Sequence, residues 1–444
     1  MRATRAGSPT ARSPKLGDRL RQLRVAAGLT QSDLARDRFS KEYISQIERG
    51  KTRPTPETIE WLAASLNVDP AFLASGVSSD ERARAEAVLA RAEALVEKYE
   101  YVEAIDEYSR ALGPVISTGA VELRVRLLSG EAWARMLNGE VRDALELLQQ
   151  ARGFVDGPEF SDIDRADILF RIGAGRYLIS SISTAIALFG ESLALIDSSE
   201  LPSDLLRAKV LTWRSRCYRR HRDYEAARED VERALELAES MEDTRTLGDT
   251  YFQASLVAER DGHWVLARTY AERAKSQYEE LSDRGNVGRL LNNLGGLDSL
   301  LGNSERAVER IKQALEVVIE CGDDLEIATT VQSLAQVYLR TGDPVRAEEH
   351  ARHAIRRLDG REDCLGETGN ARLVLGRALL EQERLDEAET ELAEAEDAFA
   401  QLSSGSHRAA AWVAQGDLAQ RRGDDRQAAT LYRRAAEALQ DFRF

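Results

Sequence analysis

Alanine residues recur at an interval of about forty residues through most of this 444-residue chain. Each is followed four positions later by a bulky or apolar residue, and most are followed seven positions later by another alanine. The first alanines of these triplets are Ala104, Ala144, Ala185, Ala227, Ala267, Ala307, Ala347, Ala388 and Ala428. A fixed period of this length is the signature of a repeat array, in which each unit packs mainly on its neighbours.

The segments between these alanines have the pattern of two helices joined by a tight turn. Apolar residues recur every three to four positions, as at Leu334, Val337 and Tyr338, which is typical of an amphipathic helix. A glycine stands just before several of the alanines, where a chain that leaves one helix takes a positive φ. These glycines are Gly139, Gly262, Gly302, Gly342 and Gly423. Because one pair cannot bury its apolar face alone, we expect the pairs to stack into a right-handed superhelix with a concave inner surface.

These units resemble the tetratricopeptide repeat, most clearly in residues 290–315, 331–355 and 412–436. The resemblance covers residues 81–444 and implies about nine units. The period exceeds the length usual for this repeat, about 34 residues, so longer helices or longer connections are expected. The first unit lacks the glycine turn, and the third has Ser180 and Ser181 in its place.

Residues 15–73 precede the array and carry dense helix signals, and residues 74–80 are expected to be a linker. Thr30, Ser40 and Thr55 each stand where an N-cap residue begins a helix. The segment resembles the Cro/repressor-type helix-turn-helix of the XRE family. The resemblance rests on Leu34-Ala35, Ile44-Ser45, Ile47-Glu48-Arg49-Gly50, Pro54, Leu62-Ala63 and Leu66. It implies an all-α chain in which a five-helix, lambda-repressor-like domain precedes a tetratricopeptide-repeat solenoid.

The helix-turn-helix resemblance implies a DNA-binding surface around residues 40–49, since the second of its two short helices lies in the major groove. Lysine can donate to guanine, glutamine can bind adenine, and glutamate can accept from cytosine. The residues after this helix, and the start of the preceding one, are placed to contact phosphates. The candidate DNA-binding residues are Gln31, Ser40, Lys41, Glu42, Tyr43, Gln46, Arg49, Lys51, Thr52 and Arg53. Tyr43 has the alternative of packing instead of reading bases.

The turn between these two helices departs from the family pattern. Ten steps separate Leu34 from Ile44, where the family commonly has eleven, and Arg38-Phe39 replaces a glycine followed by an apolar residue. The sequence therefore predicts an altered turn.

The net charge of −15 is distributed unevenly. Residues 1–76 carry 13 Lys and Arg and 8 Asp and Glu, whereas residues 77–444 carry 48 and 68. This distribution favours DNA binding by the basic head alone, because phosphates would repel the acidic array. Residues 1–14 carry three arginines, which predicts either an arm that reaches a DNA groove or a disordered tail.

The first helices of the repeat units are expected to line the concave face. Amides there could pair with the main chain of an extended peptide, a basic cluster with a carboxylate, and aromatic residues with an apolar side chain. The candidate groove residues are Trp133, Phe170, Tyr177, Lys209, Arg216, Arg219, Arg220, Asn292, Gln332, Gln336 and Asn370. The alternative is that the aromatic residues belong to the core between repeats and the arginines are solvated.

No catalytic constellation can be identified in the sequence, so no enzyme activity, cofactor or metal is expected. No apolar run approaches the length of a membrane span, and residues 1–14 do not have the pattern of a secretory signal. The three cysteines are far apart and do not have CxxC spacing, which is typical of a protein in a reducing cytosol.

These features predict a cytoplasmic, sequence-specific transcription regulator, associated with the nucleoid of a bacterium when bound to DNA. A homodimer on a palindromic operator is expected, since two heads would occupy half-sites about 10 base pairs apart. The layout is similar to the RRNPP regulators, which implies a peptide or small ligand in the array. The alternative is a protein-protein scaffold or adaptor whose head is an auxiliary DNA tether.

Overall fold

The computed structural model describes residues 15–76, 78–241, 243–361, 364–402 and 405–440. The described residues form 23 α-helices, which confirms the all-α fold. Contacts divide the chain into two units, Met1–Leu201 and Pro202–Phe444. The predicted arm at residues 1–14 lies outside the described residues. No helix in the described part of the chain is both long and apolar enough to span a bilayer.

Five helices form the head at the start of the first unit. They are α1 (Leu16–Ala26), α2 (Gln31–Ala35), α3 (Lys41–Glu48), α4 (Pro56–Leu66) and α5 (Pro70–Ser75). The predicted caps are present, because Thr30, Ser40 and Thr55 accept hydrogen bonds from the backbone N–H three residues on. The head has its own apolar core, in which Leu34 and Ile44 are fully buried.

The head and the array are joined by a shorter connection than the predicted linker, 74–80. α5 ends at Ser75 and α6 begins at Ser79, so helices enter this segment from both sides. The Asp69 carboxylate accepts from the backbone N–H of Ala71 (2.6 Å), which caps α5, and from that of Ser79 (3.1 Å). One side chain therefore holds the start of α5 and the start of α6.

Eighteen further helices follow as nine antiparallel pairs. The pairs of the first unit are α6 (Ser79–Glu97) with α7 (Tyr101–Thr118), α8 (Val121–Leu137) with α9 (Val141–Val155), and α10 (Asp162–Leu178) with α11 (Ile182–Ser198). The second unit contains α12 (Asp204–Arg220) with α13 (Tyr224–Met241), α14 (Thr244–Arg260) with α15 (Trp264–Glu280), α16 (Arg284–Leu300) with α17 (Ser304–Cys321), α18 (Asp324–Arg340) with α19 (Pro344–Leu358), α20 (Leu365–Glu381) with α21 (Leu385–Gln401), and α22 (Gly405–Arg421) with α23 (Asp425–Gln440). We call α6 and each second helix after it the first helix of its pair.

The repeated alanines lie at the contact within each pair. Eight of the nine are 0% exposed, and Ala428 is 4% exposed. All nine lie on the second helix of a pair, where a small side chain lets the two backbones approach closely. From α8 onward each first helix has 17 residues, so the extra length of the repeat lies largely in the helices.

The turn inside each pair requires a residue with positive φ. The five predicted glycines have φ between 79° and 89°. The other four pairs use a non-glycine residue in the same conformation: Tyr99, Ser180, Arg222 and Glu383. The sequence indicated a substitute turn only in the first and third units. Arg222 and Glu383 were not predicted as turn residues. They take the left-handed conformation because the packed helices on both sides impose it on any residue.

Candidate nucleic-acid interface

A buried carboxylate holds the first three helices of the head together. The Glu48 side chain at the end of α3 is 4% exposed and accepts from Arg24 Nε at 2.6 Å and from Arg24 Nη2 at 3.2 Å. Gln31 Nε2, at the first residue of α2, donates to Glu48 Oε2 at 2.8 Å. Arg24 also donates to the carbonyl oxygen of Leu29 at 2.7 Å. α1, α2 and α3 are therefore fixed relative to one another by one network.

Two opposing effects act on the pKa of Glu48. Burial alone would raise it, because a carboxylate loses its hydration in the core. The hydrogen bonds from Arg24 and Gln31 outweigh burial and hold the pKa below the ordinary value. Glu48 is therefore ionised at neutral pH, and its negative charge compensates the positive charge of the Arg24 guanidinium.

α3 presents a polar face to solvent. Ile44 and Ile47 are buried on one side, while Lys41, Glu42 and Gln46 are exposed on the other. The sequence predicts that this face contacts bases. The side-chain types on it include two that discriminate bases in a major groove, a lysine and a glutamine.

Three candidate residues lie at or near the ends of α3: Ser40, Tyr43 and Arg49. Ser40 is the N-cap and its hydroxyl accepts from the Tyr43 backbone N–H at 3.1 Å. The Tyr43 ring is half-buried, 5.2 Å from the Phe39 ring. The Tyr43 ring therefore has a packing partner in Phe39 and also keeps part of its surface exposed. Arg49 is the exposed C-cap residue.

The segment after α3 orients the glutamine and supplies cations. Thr52 Oγ1 donates to Gln46 Oε1 at 3.0 Å, which restricts the amide while leaving its NH₂ group as a donor. This contact was not predicted, because it joins a helix to the loop that follows it. Lys51 and Arg53 are exposed, and no ion pair engages either of them among the described residues. Both cations are available to phosphates.

The turn between α2 and α3 is compact and packed. α2 ends at Ala35, and Arg36 takes a positive φ of 47°. The Phe39 ring lies 5.1 Å from the Trp61 ring in an edge-on arrangement, and the Arg38 guanidinium lies 5.7 Å and 5.9 Å from these two rings. Aromatic packing against α4 thus holds the turn between α2 and α3 in place.

The aromatic groove candidates of the first unit separate into two kinds. Phe170 is 4% exposed, and its ring lies 6.1 Å from the rings of both Trp133 and Phe189. A side chain buried in this way cannot line a groove, so the assignment of Phe170 is corrected to the core between repeats. Trp133 and Tyr177 are half-buried, and Trp133 carries the Arg171 guanidinium at 5.4 Å from its ring.

The groove candidates of the second unit all lie on first helices. Lys209, Arg220 and Gln336 are exposed, whereas Gln332 is 9% exposed. Arg216, Arg219, Asn292 and Asn370 are half-buried, and the Arg216 guanidinium lies 4.6 Å from the Trp213 ring.

A cavity of about 560 Å³ is lined by residues other than these candidates, from the last turns of α18, α20 and α22. Two of its residues, Arg377 and Asp417, stand one and two repeat lengths after Gln336. The repeat register could therefore have located them.

Family models match most parts of this architecture. A helix-turn-helix domain model matches residues 15–75. Tetratricopeptide repeat models match residues 208–241, 246–320, 333–403 and 373–441.

A solved structure of a Rap protein complexed with Competence and Sporulation Factor has a similar fold, with a TM-score of 0.57 and 16% identity. The match covers 81% of this chain and 98% of that one.

Two curated relatives match the head. The HTH-type transcriptional regulator DdrOP3 of Deinococcus deserti is 41% identical over 64 residues, which are 14% of this chain and 50% of the relative, so this chain spans half the length of that relative. The uncharacterized HTH-type transcriptional regulator y4dJ of Sinorhizobium fredii is 43% identical over 54 residues, which are 12% of this chain and 70% of the relative. The chain therefore belongs to the HTH-type transcriptional regulators, with tetratricopeptide repeats after its helix-turn-helix domain.

Proposed function

We propose that this regulator recognises a specific DNA sequence by placing α3 in the major groove. The observation that carries the proposal is the exposed face of α3, where Lys41, Glu42 and Gln46 stand opposite buried isoleucines. Gln46 binds adenine through both ends of its amide, and Lys41 donates to guanine. Gln31, Lys51 and Arg53 contact phosphates and set the register of the head on the duplex.

The protein acts as a homodimer on a palindromic operator. An α3 of eight residues reads only a few base pairs, so two heads on half-sites about 10 base pairs apart supply useful affinity and specificity. The acidic array points away from the duplex because phosphates repel it. A DNA partner places the protein in the cytoplasm, on the bacterial nucleoid.

The array binds an effector, a peptide or small ligand, that changes DNA binding. The cavity of about 560 Å³ among first helices supports this role, because its size is that of small-ligand pockets. A Rap protein of similar fold was solved with the Competence and Sporulation Factor, which is compatible with a ligand-binding array.

The test is to recover and sequence fragmented host DNA bound by the purified full chain, with and without a host extract. We expect a set of fragments that share a two-fold symmetric motif, and a change in occupancy when extract is added. Equal affinity for random duplex and for every selected fragment would reject sequence recognition and favour the scaffold alternative.

A further inference from the structure

The cavity at the C-terminal turns of α18, α20 and α22 combines apolar and charged walls. Leu339 and Leu380 supply the apolar part. The charged residues are Arg377 and Glu381 on α20, and Asp417 and Arg421 on α22. With two cations and two anions, the lining is neutral overall, yet the four charges do not form two ion pairs.

Arg421 and Glu381 satisfy each other. Arg421 Nη2 lies 2.7 Å from Glu381 Oε1. Arg421 Nη1 donates to the Leu380 carbonyl oxygen at 2.7 Å and to Glu383 Oε1 at 2.9 Å. This pair forms a wall of the cavity, and both of its charges are already compensated without a ligand.

Arg377 is the opposite case. Its one hydrogen bond among the described residues runs from Nη2 to the Ala410 carbonyl oxygen at 3.5 Å, which is long for a charged donor. Burial lowers the pKa of Arg377, and Asp417 only partly offsets that effect. The guanidinium is thus half-buried beside the cavity, and most of its N–H groups make no hydrogen bond to the described residues.

Asp417 is the matching acceptor. Its Oδ1 accepts from the Tyr432 hydroxyl at 2.8 Å, and it forms no ion pair within the described residues. Burial and the bond to Asp417 raise the pKa of Tyr432 to about 12, so the hydroxyl remains a donor. The second carboxylate oxygen is left to accept from another donor. The C-terminal turns of the three helices also carry partial negative charge, which favours a cationic group beside Asp417.

We propose that this cavity binds a small zwitterion of the amino-acid class. Its carboxylate pairs with Arg377, its ammonium group pairs with Asp417, and its apolar part packs on Leu339 and Leu380. The ligand is a free amino acid or a short peptide with both ends unblocked. This assignment rests on the proposed effector role of the array and names the chemistry and the residues of the site.

The position of the two charges in the repeat supports the proposal. Arg377 and Asp417 occupy the same position in successive first helices as Arg216 and Gln336 in earlier ones. A ligand held there bridges α20 and α22, and its binding therefore acts on the packing between neighbouring repeats. A change in that packing can be transmitted along the array, because each unit touches mainly its neighbours.

The experiment is isothermal titration calorimetry on the full chain. The probes are the standard L-amino acids, tested one at a time, a set of dipeptides, and the N-acetylated and C-amidated forms of each. We expect at least one unblocked probe to bind, and blocking either end to weaken it about tenfold or more. The comparison of amino acids with dipeptides identifies the source of the zwitterion.

Three variants complete the test. Arg377→Gln and Asp417→Asn are each expected to weaken the unblocked probe about tenfold or more, with the thermal midpoint of the chain monitored to confirm folding. Arg356→Gln, on an exposed surface of α19, is the charge-matched control and should bind like the wild type. No binding by any unblocked probe, equal binding by blocked probes, or unchanged binding by both cavity variants would overturn the inference.

Parallel DNA-binding measurements keep the two proposals distinguishable. A chain that selects a DNA motif but binds none of the probes rejects the zwitterion site alone. A chain that binds the probes through Arg377 and Asp417 but does not select DNA rejects the DNA proposal alone.

Discussion

Arg24 on α1 and Glu48 on α3 are joined by two hydrogen bonds, Nε to Oε1 at 2.6 Å and Nη2 to Oε2 at 3.2 Å. Their side chains are 11% and 4% exposed. Because Gln31 donates to the same carboxylate, the pair also sets the start of α2, which is proposed to contact phosphate. The proposed DNA-reading surface therefore depends on an ion pair that touches no DNA.

Replacing Glu48 by Gln should destabilise the head by about 3 kcal/mol. The change leaves the Arg24 guanidinium in the core without a compensating charge, and breaking a buried pair on one side is costly. Amide hydrogen exchange of α1–α3 in the full chain measures the effect. The matched control is Glu42→Gln, which changes an exposed glutamate and should shift stability by less than about 0.5 kcal/mol. Similar protection in both variants would show that the pair is not structural.

The stability supplied by Glu48 should disappear in acid. Its pKa is lowered in the folded head, so its contribution is complete above the ordinary value of 4.5 and is lost as the pH falls through the lowered pKa. The ratio of exchange rates between Glu48→Gln and the wild type should therefore begin to fall as the pH drops below 4.5, and should approach one only below the lowered pKa of the folded head. Both proteins share the same intrinsic exchange rate at a given pH, so the ratio isolates the ion pair. A ratio that stays constant with pH would contradict the prediction.

Lys51→Ala and Gln46→Ala should weaken DNA binding in different ways. Loss of the Lys51 cation removes a phosphate contact, so affinity should fall on all sequences and the salt slope should drop by about one unit. Loss of the Gln46 amide should cost about 1–3 kcal/mol at one base pair and relax the preference there. Binding titrations on the selected motif and on single-base variants, at several salt concentrations, separate the two effects.

Thr52→Val provides a related control for Gln46. It removes the hydroxyl that donates to Gln46 Oε1 while keeping the shape of the side chain. We expect a smaller loss than for Gln46→Ala, at the same base pair, because the amide is retained but less ordered. A loss at a different base pair would mean that Thr52 acts independently of Gln46.

Two adjacent glycines on α16 should respond oppositely to alanine. A Cβ on Gly295 would clash with the Ile311 side chain and lie 3.1 Å from the Ala307 carbonyl oxygen, so Gly295→Ala should destabilise the array by about 1–3 kcal/mol. A Cβ on Gly296 meets no described atom within 4 Å, so Gly296→Ala should stabilise by about 0.5–1 kcal/mol through helix propensity alone. Urea unfolding of the two variants tests the pair, and shifts of the same sign would disprove the close crossing.

Local signals predicted much of the architecture. The alanine period located nine helix pairs, and all nine alanines are buried where the pair closes. Thr30, Ser40 and Thr55 cap the helices expected of them, because capping depends on residues within one turn of the chain. The exposed face of α3 also follows from helical periodicity in a short segment.

Contacts between elements that are distant in sequence were decided by the tertiary structure. Periodicity placed Phe170 on a first helix but did not reveal that Trp133 and Phe189 flank it there. Arg24 meets Glu48, and Arg377 shares a cavity with Asp417, only because separate helices pack together. The sequence by itself determined the helices, their caps and their repeat, since these depend on neighbours along the chain. Which charges are paired, buried or left open depends on what packs against them in space.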